Sequence, residues 1–325
     1  MNRPLVPPLV LVSMSAIVDP HPAVQTARRL VENVARVWRG ARPAVELIVA
    51  AWLARGHVLV EDLPGVGKTT LARALAASLG GSCRRLQGTP DLLPGDVTGI
   101  ALYDQQASRF VFRPGPVFAD VLLADELNRM PPRTQAALLE ALAEGQVTVD
   151  GETRPLPARF VCLATQNPHD QAGTYPLPDS QRDRFLICTS LGLPGAEAEL
   201  DLLRTDGAEP ELAQLRPVAK ADELDRLRAS AAAINVEESV QRYLLALIHA
   251  SRNSKALAVG ASPRAAIGLQ RAARARALIA GRAFVLPDDV QVLAVPCLAH
   301  RVTARANHDP ATAIRALVET VPVPR

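Results

Sequence analysis

Apolar residues in the first two-thirds of the chain come in short continuous runs bounded by polar or turn-forming residues. His57-Val58-Leu59-Val60, Val121-Leu122-Leu123-Ala124, Phe160-Val161-Cys162-Leu163-Ala164-Thr165 and Phe185-Leu186-Ile187-Cys188-Thr189 are such runs, and Cys83-Arg84-Arg85-Leu86-Gln87 is a more polar fifth. Runs this short, apolar without alternation, read as strands covered on both faces. Elsewhere the spacing turns helical. Leu30, Val34 and Val37 make one stripe and Val45, Ile48, Val49 and Trp52 another, separated by Arg39-Gly40-Ala41-Arg42-Pro43. Further helices are predicted at 71–79 and from Pro131-Pro132 to Ala143, proline being tolerated in a first helical turn. Two hairpins are expected: 99–103 with 109–113, and 146–149 with 152–156 across the type I′ signal Asp150-Gly151. The alternation predicts a parallel five-stranded α/β sheet with helices on both faces.

After Leu193-Pro194-Gly195 the pattern changes, and only alanine- and arginine-rich helical spacing continues. Val240, Tyr243, Leu244, Leu247 and Ile248 share one face; Ser262-Pro263 and Pro287-Asp288-Asp289 open two more helices. The expected organisation is a flexible tail at 1–22, a nucleotide-binding αβα domain at 23–194, and a small all-α domain at 195–325. The apolar start of the tail is short and broken by Pro4, Pro7 and Pro8, unlike a signal peptide. No run reaches the ~20 apolar residues that a membrane span needs. A cytoplasmic location without membrane insertion is expected.

Composition narrows the classes. The 36 basic residues nearly balance the 33 acidic ones, a net charge of +3, so the concentrated basic face of a nucleic-acid binder is not evident. Cys83, Cys162, Cys188 and Cys297 lie far apart with no CxxC spacing, and read as reduced thiols. With 48% hydrophobic but 3% aromatic residues, the core is expected to be aliphatic.

The chemistry concentrates at Leu63-Pro64-Gly65-Val66-Gly67-Lys68-Thr69-Thr70, between the first strand and a helix. Glycines there let backbone N–H groups turn around phosphate oxygens, and the helix N-terminus adds positive charge. Lys68 is suited to neutralise β- and γ-phosphates, and the Thr69 hydroxyl to ligate Mg²⁺. The full motif puts glycine where this chain has Asp62. Asp125-Glu126 closes an apolar strand; the aspartate suits the Mg²⁺ shell and the glutamate an attacking water. Asn167 ends the next strand, where Asn-Pro reads both as a turn and as a group for that water or the γ-phosphate. Arg184 and Arg264 are candidates to stabilise γ-phosphate charge; surface pairing of Arg184 with Asp183 or Asp179 is the plainer reading.

These stretches, together with Phe112-Arg113-Pro114-Gly115-Pro116-Val117-Phe118, Gly173-Thr174-Tyr175-Pro176-Leu177-Pro178 and Ala261-Ser262-Pro263-Arg264-Ala265, resemble the MoxR-type AAA+ ATPases. The likeness runs from about residue 30 to 322, and Asp62 is usual for that family. It implies ATP and Mg²⁺ held by Gly65, Val66, Gly67, Lys68, Thr69 and Thr70, with Asp125 as metal ligand and Val37 and Gly40 against the adenine. It implies Glu126 and Asn167 as catalytic and sensor residues, Arg264 as a second sensor, and Arg184 as an arginine finger. Asp179 and Arg182 depart from the family pattern, where glutamate and leucine are expected, so Arg182 competes for the finger role. The resemblance further implies a homo-oligomer, a hexameric ring with the two hairpins toward its axis. A chaperone-like role toward a von Willebrand factor A domain protein follows from kinship alone. Two other readings are a DNA-acting AAA+ motor, suggested by the arginine-rich stretch 271–282, and a small-molecule P-loop kinase.

Overall fold

The computed structural model describes residues 22–106, 108–167 and 173–324. The tail expected at 1–22 lies outside these residues except for Pro22, which is the first residue of a helix. The chain enters through helices α1 (Pro22–Val37) and α2 (Arg42–Leu53), separated at the expected Arg39–Pro43 breaker. Strand β1 (Val58–Glu61), helix α3 (Lys68–Leu79) and β2 (Cys83–Gln87) follow. Next come the short helix α4 (Pro94–Thr98), the hairpin β3 (Gly99–Asp104) and β4 (Arg109–Pro114), and β5 (Val121–Asp125). Helix α5 (Pro132–Glu144), the hairpin β6 (Gln146–Val149) and β7 (Glu152–Pro155), β8 (Val161–Gln166), α6 (Asp179–Arg182) and β9 (Ile187–Thr189) complete this half.

Five strands form a parallel sheet in the order β2-β5-β8-β1-β9. Strand β8 is thus inserted between β1 and β5, pairing Glu61 with Gln166 on one side and Ala124 with Ala164 on the other. The ends of β1, β8 and β5 therefore stand side by side on one edge, where ligands bind open α/β sheets. Alternation along each strand divides the core. Val58, Val60, Leu123 and Leu163 join α1, α2 and α3 on one face, while Leu59, Leu122, Cys162 and Ala164 meet Leu138 and Leu142 of α5 on the other. Burial on both faces is why these strands carry no polar alternation. A fully buried leucine contributes about 2 kcal/mol by removal from water, so the two-sided core dominates the stability of the sheet.

Beyond β9 the chain forms α7 (Ala196–Arg204), α8 (Glu209–Gln214), α9 (Ala221–Ala233) and α10 (Glu238–Asn253). The strand β10 (Leu257–Val259), α11 (Pro263–Ala280), α12 (Pro287–Leu298), β11 (Thr303–Ala304) and α13 (Pro310–Thr320) follow. The division expected near residue 194 falls between β9 and α7. Helices α9 to α13 share one continuous apolar cluster with α1 and α2, through residues such as Leu269, Leu278 and Leu293. The β10–β11 ladder was not expected from the sequence; strands of three and two residues are too short to show a period. Likewise α4 lies in a stretch that reads as a proline-rich loop, with Pro94 in its first turn. Ser262 caps α11 as predicted, its Oγ accepting from the Ala265 N–H at 3.1 Å. All four cysteines are free of disulfides. Among the described residues no helix is long and apolar enough to cross a membrane.

Candidate nucleotide site

The loop from β1 to α3 has Gly65 at φ +88° and Gly67 at φ +85°, left-handed geometry that favours glycine. A Cβ at Gly65 would meet nothing within 4 Å, so the turn opens onto free space. Behind it, Trp38 closes the loop. Its Nε1–H donates to the Val66 carbonyl at 3.2 Å, and the ring is only 3% exposed. A Cβ at Gly67 would come 3.0 Å from that indole nitrogen, and one at Gly40 2.0 Å from the indole ring. Gly40 and Gly67 thus leave room for the indole. Lys68 opens α3 and donates to the Asp62 carbonyl at 3.0 Å, holding the ammonium along the loop.

Asp62, which replaces the motif's first glycine, anchors the loop through its carboxylate. It accepts from Leu191 N–H at 2.6 Å, Gly192 N–H at 2.9 Å, Ser190 Oγ at 3.0 Å and its neighbour Leu63 N–H at 2.9 Å. Burial alone would raise its pKa, but the bonds from Gly192, Leu191, Ser190 and Leu63 outweigh that and hold it below the ordinary value.

On the neighbouring strand, the Asp125 carboxylate accepts from Thr165 Oγ1 at 2.6 Å and from Arg85 Nη2 at 2.7 Å. Glu126 takes the left-handed region at φ 54°, ψ 50°, its N–H donating to Thr165 Oγ1 at 3.0 Å. Its Oε2 pairs with Arg129 at 3.1 Å. The approach of β2 is close here: Gly88 donates to Asp125 O at 2.7 Å, and a Cβ at Gly88 would lie 2.2 Å from Glu126 O.

These groups line one cleft of about 520 Å³ that includes Gly65, Gly67, Lys68, Thr69, Asp125, Glu126, Thr165 and Asn167. Its oxygens suited to Mg²⁺ include the Thr69 hydroxyl and the Asp125 carboxylate, a donor set this ion accepts when phosphates and water complete its shell. The residues present fit the nucleotide and metal that the motif implies. Val66 is buried at 4% exposure, and Thr70 is half-buried outside the cleft lining. Val37 is buried in the core at the end of α1, and Gly40 is half-buried in the link that follows.

Three expected arginines stand elsewhere. Arg184 donates to the Leu139 carbonyl of α5 at 2.6 Å, and Arg182 reaches Glu61 at 3.4 Å. Arg264 is exposed in the first turn of α11. None of them lines the phosphate cleft. Their chain neighbours Asp183 and Ser262 meet, Ser262 Oγ donating to Asp183 at 3.4 Å, and Arg301, 3% exposed, pairs with the same carboxylate at 3.6 Å.

Known proteins resemble this chain. The family model described as the ATPase family associated with various cellular activities matches residues 57–187, and an AAA lid domain matches 249–321. Chaperone MoxR1 of Mycobacterium tuberculosis is 38% identical over 317 residues, covering 93% of this chain and 83% of its own. The chain belongs to the MoxR family of AAA+ ATPases. YeaC of Bacillus subtilis is 43% identical over 284 residues, 87% of this chain and 88% of its own. A crystal structure of an ATPase candidate from Cytophaga hutchinsonii superposes with a TM-score of 0.87 at 32% identity, covering 93% of this chain and 96% of that one.

Nucleotide binding follows from membership in the MoxR family. Arg85, Arg129, Gln87, Thr165 and Trp38 surround the cleft or its loop in this MoxR-family chain but were not singled out from sequence. Arg85 and Gln87 are two apart on β2 and so share a face, and Arg129 is three residues past Glu126. Those spacings were the available signals.

Proposed function

We propose that this MoxR-family chain hydrolyses Mg-ATP at interfaces between copies of itself and uses the turnover to remodel client proteins. In this reading Lys68 and the loop amides hold the β- and γ-phosphates, and Val37 and Gly40 border the adenine. Thr69 and Asp125 hold Mg²⁺, which neutralises phosphate charge when bound. Glu126 orients and polarises the attacking water, and Asn167 fixes the water or the γ-phosphate. The observation that carries the interface reading is the separation of Arg184 and Arg264 from their own cleft. In this reading Arg184 leaves the Leu139 carbonyl of its own chain and supplies transition-state charge to an adjoining copy, a contribution of roughly 10³-fold or more in turnover, while Arg264, exposed on α11, acts as the second sensor. A head-to-tail interface closes into a ring when its rotation closes, and a ring of six copies is what the family resemblance implies. The relative named Chaperone MoxR1 supports a client-directed role; a partner with a von Willebrand factor A domain is the client class proposed, by kinship, and the cytoplasm the compartment.

The test is a mixture. Arg184→Ala and Glu126→Gln chains are each expected to be nearly inactive alone. Mixed, they regain turnover at interfaces pairing an intact cleft with an intact arginine. No recovery at any ratio, with mixed assemblies verified by mass, would overturn the shared interface.

A further inference from the structure

Glu61 closes β1 directly before the phosphate loop. Its Oε1 accepts hydrogen bonds from two different elements, Gln166 Nε2 at the end of β8 and Arg182 Nη2 of α6 at 3.4 Å. Burial, and after it the same carboxylate, raises the pKa of the Cys188 thiol of β9. Both partners of Glu61 have neighbours of consequence. Gln166 sits opposite Glu61 in the strand register and directly precedes Asn167 in the cleft. Arg182 lies two residues before Arg184, and the backbone binds this stretch into one turn: Arg182 N–H donates to Pro178 O at 3.0 Å and Arg184 N–H to Gln181 O at 3.2 Å.

One oxygen is therefore shared between the strand that carries the sensor amide and the arm that carries the arginines. The carboxylate is about one-third exposed, so its charge is only partly screened. The 3.4 Å contact is long for an N–H···O bond, making it the one that yields or tightens when Gln166 shifts. The next residue, Asp62, ties the loop to 190–192 just past β9, so loop, sensor strand and arm meet within two residues.

We propose that Glu61 is a positioning residue that carries the nucleotide state of the chain's own cleft to the α6 arm, setting where Arg184 stands for the adjoining copy. The final clause rests on the interface reading above; the coupling within one chain does not.

Hydrogen–deuterium exchange on the full chain tests it, with Glu126→Gln in every variant to retain ATP. In that background ATP slows exchange in both the phosphate loop and residues 178–186, the latter about fivefold. Adding Glu61→Gln leaves the loop protected but removes the response at 178–186. Arg182→Gln, which breaks the junction from the arm, gives the same loss. The proposal is overturned if 178–186 ignores ATP in the starting background. It is equally overturned if it responds undiminished in Glu61→Gln, or if loop protection is lost as well. Exchange is read at a concentration where mass measurement shows single chains, so failure here is separate from failure of the mixing experiment.

Discussion

The Asp62 carboxylate accepts a hydrogen bond from the Leu191 amide 129 residues away, at 2.6 Å, and so moors the phosphate loop to the segment after β9. Hydrogen bonds to a charged group contribute about 1.5–3 kcal/mol each, and this carboxylate, buried at 9% exposure, accepts several. Asp62→Gly, which restores the general phosphate-loop motif, is therefore expected to weaken the protein. Nucleotide affinity should fall about tenfold and stability by about 3 kcal/mol, checked by nucleotide titration and urea unfolding. Equal or better affinity in Asp62→Gly would show that the mooring has no bearing on the loop.

Lys68→Ala and Glu126→Gln should separate binding from chemistry. The first removes the ammonium from the loop, and ATP binding should weaken at least about tenfold. The second keeps the shape of the side chain and its position on the left-handed turn but loses the carboxylate that polarises water. It should bind ATP normally and turn over at least about 100-fold more slowly. Equilibrium binding and single-turnover hydrolysis distinguish the two; near-normal turnover in Glu126→Gln would remove it from the catalytic role.

Stability should depend on mildly acidic pH through two buried histidines. His57 is held neutral by burial, its pKa lowered to about 4 despite its bond to Leu142 O. Its Nδ1 accepts from Cys162 N–H at 3.1 Å, which leaves Nε2–H to donate to Leu142 O at 3.1 Å. His300 is lowered further, to about 3, by burial and then by Arg301. An unfolded histidine titrates near 6.5, so below that pH the unfolded chain takes up protons the folded chain excludes. Stability is thus full above pH 6.5, falls as pH drops toward 4, and His57 alone accounts for about 3 kcal/mol of the loss. Urea midpoints between pH 7 and 4.5 measure the slope, and His57→Gln should flatten it by about one proton.

The central strands β1, β5 and β8 were legible because they are buried on both faces and therefore apolar, while the edge strand β2 keeps Arg84, Arg85 and Gln87 exposed. The pair Asp125-Glu126 stands out because it follows four apolar residues beside a phosphate motif, and both side chains line the cleft. What stayed hidden depends on register and distance. Arg85 meets Asp125 only because β2 pairs with β5 so that Gln87 lies opposite Asp125. The purpose of Asp62 depends on residues 190–192, which nothing local announces. Arg184 and Arg264 stand out in the sequence one by one, but the contact between their neighbours Asp183 and Ser262 spans 79 residues. Each of these is a tertiary relationship, and residue pattern along the chain carries only the local half of it.

The indole of Trp38 has one more consequence. The sequence contains two tryptophans, and Trp52 is fully buried in the core, its Nε1–H bonded to Arg159 O at 3.1 Å. Trp38 alone is hydrogen-bonded to the phosphate loop, at the Val66 carbonyl. The molecule thus carries its own optical probe: ultraviolet emission from Trp38 tracks the loop as ligand arrives, against a constant background from Trp52. Arrival and departure rates become measurable by stopped flow on the unlabelled protein.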